Sequence, residues 1–235
     1  ALISYEYGAA LAAPAPVGLS GTGGASVKPL ALPAKASFSL GAPNVLYLDK
    51  AMISVEGTGI SLTGFVPQVG RSIKQMFGLP AGRYGENQPW KWRKTATGRS
   101  VTLTYTFHVD AVPSKGISLA LERPDVKTVV FNGRPVAIRK RGFYLDKAIA
   151  VIDLPRPAAG RNFLSLAEPL DESFEAEAVY ILGEFAVRNG AVAVLPDTVP
   201  IRDWTVGGLP FYAGTIVIDV PVTVSKNGRY VLEID

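Results

Sequence analysis

The sequence predicts an all-β protein that folds as a sandwich, and three observations favour this class. The chain of 235 residues contains 24 glycines and 18 prolines, which is typical of a protein rich in strands and turns. Residues 101–109 alternate between apolar and polar side chains, as a half-buried strand does. Strand-like runs then recur about every 8–12 residues, and no long amphipathic helix is present.

Residues 9–37 are rich in Ala, Pro and Gly and predict a linker or an irregular segment. Residues 37–56 predict two short strands, and residues 57–99 are irregular with a short helix near 72–77. An Asn132-Gly133 pair predicts a two-residue hairpin turn. The remaining predicted strands are 101–109, 117–122, the two halves of 127–139, 143–153, 162–166, 174–182, 191–195 and 215–222.

Four segments are predicted. Residues 1–36 form an irregular or linker-like segment, and residues 37–100 form a β-rich segment with irregular loops. Residues 101–200 form the main sandwich, and residues 201–235 begin further sandwich strands. The chain starts without Met or a signal-like sequence and stops inside an alternating strand, so we expect a piece of a longer protein.

Composition limits the classes of function. Cysteine is absent, so disulfides and thiolate metal sites are excluded. The net charge of +4 is far below that of a nucleic-acid-binding arm, and we expect no nucleic-acid partner. No apolar run approaches the roughly 20 residues of a membrane helix, so we expect no membrane partner. The compartment stays open, with a secreted or periplasmic location favoured.

The run from Arg202 to Gly214 is the most informative motif. It places Asp203 and Trp204 close to Phe211 and Tyr212, just before an apolar, β-branched strand. Pro210 fixes the backbone, and Gly214 permits close backbone approach.

This run resembles the Asp-Trp…Pro-Phe-Tyr-Ala-Gly signature of large, mostly bacterial glycoside hydrolases. Those proteins end in galactose-binding-like sandwiches akin to the sugar-binding domain of glycoside hydrolase family 2. Three further stretches match in the same order: 180–187 resembles a Tyr-Leu-Leu-Gly-Asp-Phe strand, 142–162 a Gly-Trp-Trp…Asp…Ile-Asp-Ile…Gly-Glu-Asn run, and 44–49 an Asn-Ala-Leu-Thr-Leu-Asp stretch. The resemblance covers roughly residues 40–235.

The resemblance implies an all-β, galactose-binding-like β-sandwich (jelly roll) with an additional β-rich N-terminal segment. It implies a non-catalytic accessory region of a glycoside hydrolase that supports the catalytic domain of the same protein and binds an oligo- or polysaccharide. A purely structural interdomain module, or a region that lends a loop to a glycosidase active site, stays open as an alternative. No cofactor is expected, although such sandwiches often carry structural calcium. Phe143-Tyr144 replaces the usual tryptophan pair, which puts a stacking role there in doubt.

Two aromatic clusters are candidate carbohydrate sites, because flat rings cover the apolar side of a pyranose while polar groups bind its hydroxyls. The first comprises Asp203, Trp204, Phe211 and Tyr212, whose alternative role is to plug the end of a sandwich core. The second contains Trp90 and Trp92 among basic residues, and its alternative role is to anchor a loop.

No catalytic or metal-binding residue is predicted within the chain. Glycoside hydrolysis requires two carboxylates facing the sugar, and no spacing forces a pair together. The acids considered are Asp146, Asp153, Glu175, Glu184 and Asp203. His108 is the only histidine and lies on the polar side of its predicted strand.

One pentapeptide, Tyr-Leu-Asp-Lys-Ala, occurs at residues 47–51 and again at 144–148. Two copies of one sandwich element would produce this pattern. Similar strand chemistry reached by chance is the alternative.

Overall fold

The structure, a computed structural model, describes residues 32–81 and 96–224 and the backbone of three short strands at 2–3, 18–21 and 230–233. The strands in chain order are β1 (Leu2–Ile3), β2 (Gly18–Gly21), β3 (Lys35–Leu40), β4 (Asn44–Leu48), β5 (Lys50–Val55), β6 (Ser61–Phe65), β7 (Ala96–Val109), β8 (Ile117–Glu122), β9 (Thr128–Phe131), β10 (Arg134–Val136), β11 (Lys140–Tyr144), β12 (Asp146–Leu154), β13 (Gly160–Asp171), β14 (Val179–Gly183), β15 (Ala186–Arg188), β16 (Ala191–Ala193), β17 (Thr198–Pro200), β18 (Ile216–Pro221) and β19 (Tyr230–Glu233). Helix α1 (Val66–Met76) lies between β6 and β7. The predicted all-β class is confirmed.

The chain divides into two compact units. The larger unit is Val45–Val194, and the smaller unit combines Ala1–Asn44 with Leu195–Asp235. The larger unit therefore takes strands from both the predicted 37–100 and the predicted 101–200 segments.

The larger unit is a sandwich of two sheets. One sheet has the order β11-β12-β8-β14-β4, and the other runs β10-β9-β13-β7-β16-β15, with β5 also paired to β7. The chain crosses from the sheet of β7 to the sheet of β8, goes back to the first sheet as β9 and β10, enters the second again as β11 and β12, and crosses once more to β13. Because β7 pairs with β13 and β8 with β12, these strands form one antiparallel ribbon rolled across both sheets. This is the jelly-roll arrangement.

The core of the larger unit follows from strand alternation. Val101, Leu103, Tyr105, Phe107 and Val109 are all buried, as the alternating pattern of β7 predicted. Phe107 stacks on Phe131 of β9 with ring centroids 6.2 Å apart. Each such apolar side chain contributes about 1.5–3 kcal/mol when fully buried.

Helix α1 begins at Val66, earlier than the predicted helix near residues 72–77. Pro67 stands at its start, where a fixed φ and a missing N–H are tolerated. The helix buries Ile73 against the sandwich core. Lys74 donates hydrogen bonds through Nζ to the carbonyl oxygens of Glu172 (2.9 Å) and Phe174 (3.0 Å), so its stem is buried while its charge is solvated by backbone.

The β9–β10 hairpin turns at Asn132-Gly133, as predicted. Both residues have positive φ, 49° and 76°, which this turn type requires. The Asn132 side chain also donates to Oδ1 of Asn162 at 2.8 Å and accepts from the Phe163 amide at 2.8 Å. The turn is thereby tied to β13.

The smaller unit contains a four-stranded sheet with the order β1-β18-β3-β17. Strand β18 corresponds to the strand predicted at 215–222. Strand β19 pairs with β2, so the Ala-, Pro- and Gly-rich stretch 9–37, predicted to be a linker or an irregular segment, contains the short strand β2 and the start of β3. Strand pairing requires only backbone groups, and pairings this short leave no side-chain period in the sequence. The core of this unit is formed by Ala36, Val199, Leu209, Ile216 and Ile218.

Candidate functional site

The predicted Arg202–Gly214 motif lies in the smaller unit, just before β18. A 3-10 turn at Thr205–Gly207 follows Trp204. Oδ1 of Asp203 accepts hydrogen bonds from the amide (2.9 Å) and the hydroxyl (2.5 Å) of Thr205. Asp203 is exposed and shapes this turn through these local bonds.

Two hydrogen bonds fix the hydroxyl of Tyr212, one donated and one accepted. The hydroxyl donates to the carbonyl oxygen of Thr215 at 2.6 Å and accepts from the Ala42 amide at 3.2 Å. Burial raises the pKa of Tyr212, so the phenol stays protonated as a donor at neutral pH. A Cβ at Gly214 would lie 2.6 Å from this hydroxyl, which explains why the motif ends in glycine.

The three rings of the motif differ in exposure. Trp204 and Tyr212 are half-buried and pack against the core of the smaller unit. Phe211 is 44% exposed. The motif therefore combines two rings that plug the core with one ring that presents apolar surface to solvent.

Trp90 and Trp92 lie outside the described residues, within the gap from 82 to 95. Their role as a second carbohydrate cluster stays a prediction.

The candidate acids are distributed over separate elements. Asp146 Oδ1 accepts from the Ala148 amide at 2.7 Å. Asp153 pairs with Arg141 at 2.5 Å, and Glu184 pairs with Lys115 at 2.5 Å. Glu175 is exposed. Each of the bonded acids thus has its own local partner.

His108 lies on the exposed side of β7, and its Nε2 is 3.4 Å from Asp110. Within residues 32–81 and 96–224, no group of three or more His, Asp or Glu side chains could hold a metal ion. Among the helices that the structure describes, none is long and apolar enough to cross a membrane.

A tyrosine cluster on the five-stranded sheet was not predicted as a site. The Tyr180 ring lies between Tyr47 and Tyr144, with centroid distances of 5.5 Å and 5.2 Å. All three rings are half-buried. The signal that could have found them is the repeated Tyr-Leu-Asp-Lys-Ala, since its two tyrosines are the two neighbours of Tyr180.

A set of ionisable side chains buried near the loop after β13 was also not predicted from the sequence. Lys127 Nζ and Glu168 Oε1 lie 3.1 Å apart, and both side chains are buried. The Tyr105 hydroxyl donates to the carbonyl oxygen of Glu177. Burial, with Glu122 and Glu175 nearby, raises the pKa of Glu177 to about 7.

No protein-family model and no curated protein matches the chain. Among solved structures, the chain is similar to a GH2 β-galacturonidase from Eisenbergiella tayi bound to glycerol, with 15% identity and a TM-score of 0.34. The similarity covers 63% of this chain and 25% of that chain, so the present chain spans about a quarter of the enzyme's length. At this TM-score the similarity assigns neither a family nor an activity.

Proposed function

We propose that the chain is a non-catalytic accessory β-sandwich region of a glycoside hydrolase, which supports the catalytic domain of the same protein and binds carbohydrate. The non-catalytic part is supported by the placement of four of the five candidate acids, while the fifth, Glu175, is exposed. Asp146, Asp153, Glu184 and Asp203 each bond to a different local partner. Glycoside hydrolysis needs two carboxylates that face one sugar across a gap of about 5–10 Å.

The carbohydrate-binding part of the proposal is supported by Phe211. This ring is 44% exposed beside Tyr212, whose hydroxyl is held by two hydrogen bonds. A rigid turn that presents an aromatic face is suited to stacking on a pyranose, because little side-chain entropy is lost on binding.

A purely structural module is the second candidate function. It is favoured by Trp204 and Tyr212, which pack on the core of the smaller unit and so have a folding role that needs no sugar. The two candidates differ in what the exposed Phe211 does.

A glycan-array screen of the whole 235-residue chain tests the proposal, run at low and at physiological salt. The expected result is a saturable glycan signal that survives physiological salt and falls at least tenfold in Phe211→Ala. Val206→Ala is the matched control, because Val206 is a 71% exposed apolar residue of the same turn region.

Two outcomes contradict carbohydrate binding. A well-folded chain that binds no glycan favours the structural module. A signal that disappears at physiological salt indicates nonspecific attraction of anionic polymers to a basic protein. Hydrolysis of any arrayed glycan by the chain alone would contradict the non-catalytic assignment.

A further inference from the structure

The outer face of the five-stranded sheet is unusually aromatic. In β14, Val179 and Ile181 belong to the sandwich core, while Tyr180 and Leu182 belong to a second cluster on the opposite face. The outer face of a two-sheet sandwich is normally polar. Here it buries Val45, Ala120 and Leu182 beneath partly exposed side chains.

Tyr144 reaches across the sheet to join this cluster. Strands β11 and β14 are separated by β12 and β8, so at about 4.8 Å per step their backbones are roughly 14 Å apart. The rings of Tyr144 and Tyr180 are nevertheless 5.2 Å apart. Ala120 lies opposite Tyr180 in the adjacent strand and, being small, leaves space for the rings above it.

The turn that carries Tyr144 has an irregular backbone. The β11–β12 register shifts between Phe143 and Tyr144, and Leu145 has a φ of +60°, which is rare for a leucine. Asp146 accepts a hydrogen bond from the Ala148 amide and fixes the other side of the turn. Leu145 is exposed, so burial of its side chain does not offset this backbone strain.

We infer that this tyrosine face, formed by Tyr47, Tyr180 and Tyr144, is a binding site for a neutral glycan chain. The Tyr180 ring contacts both other rings at tilts of 34° and 51°, so the three rings form an angled aromatic surface whose hydroxyls can bind sugar hydroxyls. The inference rests on the proposed carbohydrate-binding function but places a site on the larger unit, apart from Phe211.

The charges around the face favour a neutral sugar over a uronate. Burial raises the pKa of Tyr180, and the carboxylates of Glu122 and Glu177 raise it further. Arg141, the basic residue that follows Lys140 at the sheet edge, is paired with Asp153 at 2.5 Å. A sugar carboxylate here would meet the charge of Glu122, and that of Glu177 once this group ionises near pH 7, while Lys140 and Arg141 are already paired with Asp125 and Asp153.

Isothermal titration of the whole chain tests the site, with soluble oligomers of glucose, xylose, mannose and galactose as probes and oligogalacturonate as the anionic comparison. Tyr144→Ala is expected to weaken binding of the neutral oligomer at least tenfold, and Tyr180→Ala likewise. Phe143→Ala is the matched control, because Phe143 is the adjacent aromatic residue of the same strand, is 57% exposed and is outside the cluster. Its affinity should stay within twofold of the wild type.

The variants separate this inference from the Phe211 site. Binding that is kept in Phe211→Ala and lost in Tyr144→Ala supports the tyrosine face and overturns the Phe211 assignment. Binding that is lost in Phe211→Ala and unchanged in Tyr144→Ala overturns the tyrosine face and leaves the proposed function intact. Binding of oligogalacturonate alone overturns the inference, and binding of no oligomer overturns both.

A second measurement does not depend on the folding of any variant. Tetranitromethane nitrates accessible tyrosines, and peptide mass mapping of the wild-type chain reports the rate at Tyr144. A saturating neutral oligomer is expected to slow nitration there at least threefold. An unchanged rate in the presence of an oligomer that binds overturns the inference.

Discussion

At the residue scale, the larger unit keeps several ionisable side chains away from water. Burial raises the pKa of Glu168, and Lys127 opposes this shift through its charge and its contact at 3.1 Å. Burial lowers the pKa of Lys74, while the nearby acids Glu175, Asp171 and Glu172 oppose the shift. Removing one partner of such a buried ion pair destabilises the protein by several kcal/mol, because the remaining charge stays buried.

Glu177 makes folding stability depend on pH. Its pKa is raised from 4.5 to about 7 in the folded state, first by burial and then by Glu122 and Glu175. The stability that this group contributes is therefore fully present below about pH 4.5 and is lost as pH rises through 7. Glutamine carries no charge at any pH, so this replacement removes the free-energy cost of ionising a buried carboxyl. We expect Glu177→Gln to raise the free energy of unfolding at pH 8 by on the order of 2–3 kcal/mol, and to change it little at pH 4.5.

Urea unfolding of both proteins from pH 4.5 to pH 8.5 measures this difference. Glu56→Gln is the control, since it makes the same substitution at an exposed position of the same unit. A Glu177→Gln curve parallel to the wild type would show that the carboxyl ionises freely in the folded protein.

At the scale of elements, helix α1 packs against the loop after β13 through a glycine. A Cβ on Gly70 would lie 2.5 Å from the Cβ of Ala176, closer than two carbons can approach. Alanine normally stabilises a helix by about 1 kcal/mol over glycine. We expect Gly70→Ala instead to destabilise the protein by about 1–3 kcal/mol. The added methyl group would clash with Ala176, so the helix and the loop would have to move apart.

Thermal and urea unfolding measure this effect, and a double variant identifies its cause. Ala176→Gly removes the opposing methyl group, so Gly70→Ala/Ala176→Gly should recover most of the stability lost in Gly70→Ala. Gly116→Ala is the control, since a Cβ there meets nothing within 4 Å. If Gly70→Ala is as stable as the wild type, the helix and the loop are not in close contact.

The sequence predicted those elements whose signal is local. The alternation of β7 and the Asn132-Gly133 turn depend on side-chain period and positive φ, which neighbouring residues specify. Helix α1 starts at Val66, with Pro67 in its first turn, and the irregular composition of the surrounding residues concealed this start. The sequence also identified the aromatic and acidic residues of the Arg202–Gly214 motif, whereas the degree of exposure of Phe211 depends on packing. The grouping of Tyr180 with two tyrosines from distant strands depends on sheet order, which no local pattern encodes.

At the scale of the whole molecule, the chain forms one unit from its middle and another from its two ends. The middle unit contains both sheets of the rolled sandwich, and its core draws on strands from β4 to β16. The smaller unit depends on pairing between segments more than 150 residues apart, such as β3 with β18. The predicted boundaries at 36, 100 and 200 divide the chain into consecutive segments, whereas the sequence of a strand does not specify its distant partner.

This organisation predicts that the larger unit folds alone. A fragment of residues 44–194 retains all of β4 and the complete sandwich core, so it loses none of the buried apolar contacts within that core. We expect a β-type circular dichroism spectrum and a cooperative thermal transition from this fragment. The same fragment with Leu119→Asp, a charge placed at a fully buried core position, should show neither. A fragment that aggregates or melts without cooperativity would mean that the end segments supply part of the sandwich's stability, and that the two units fold only as one.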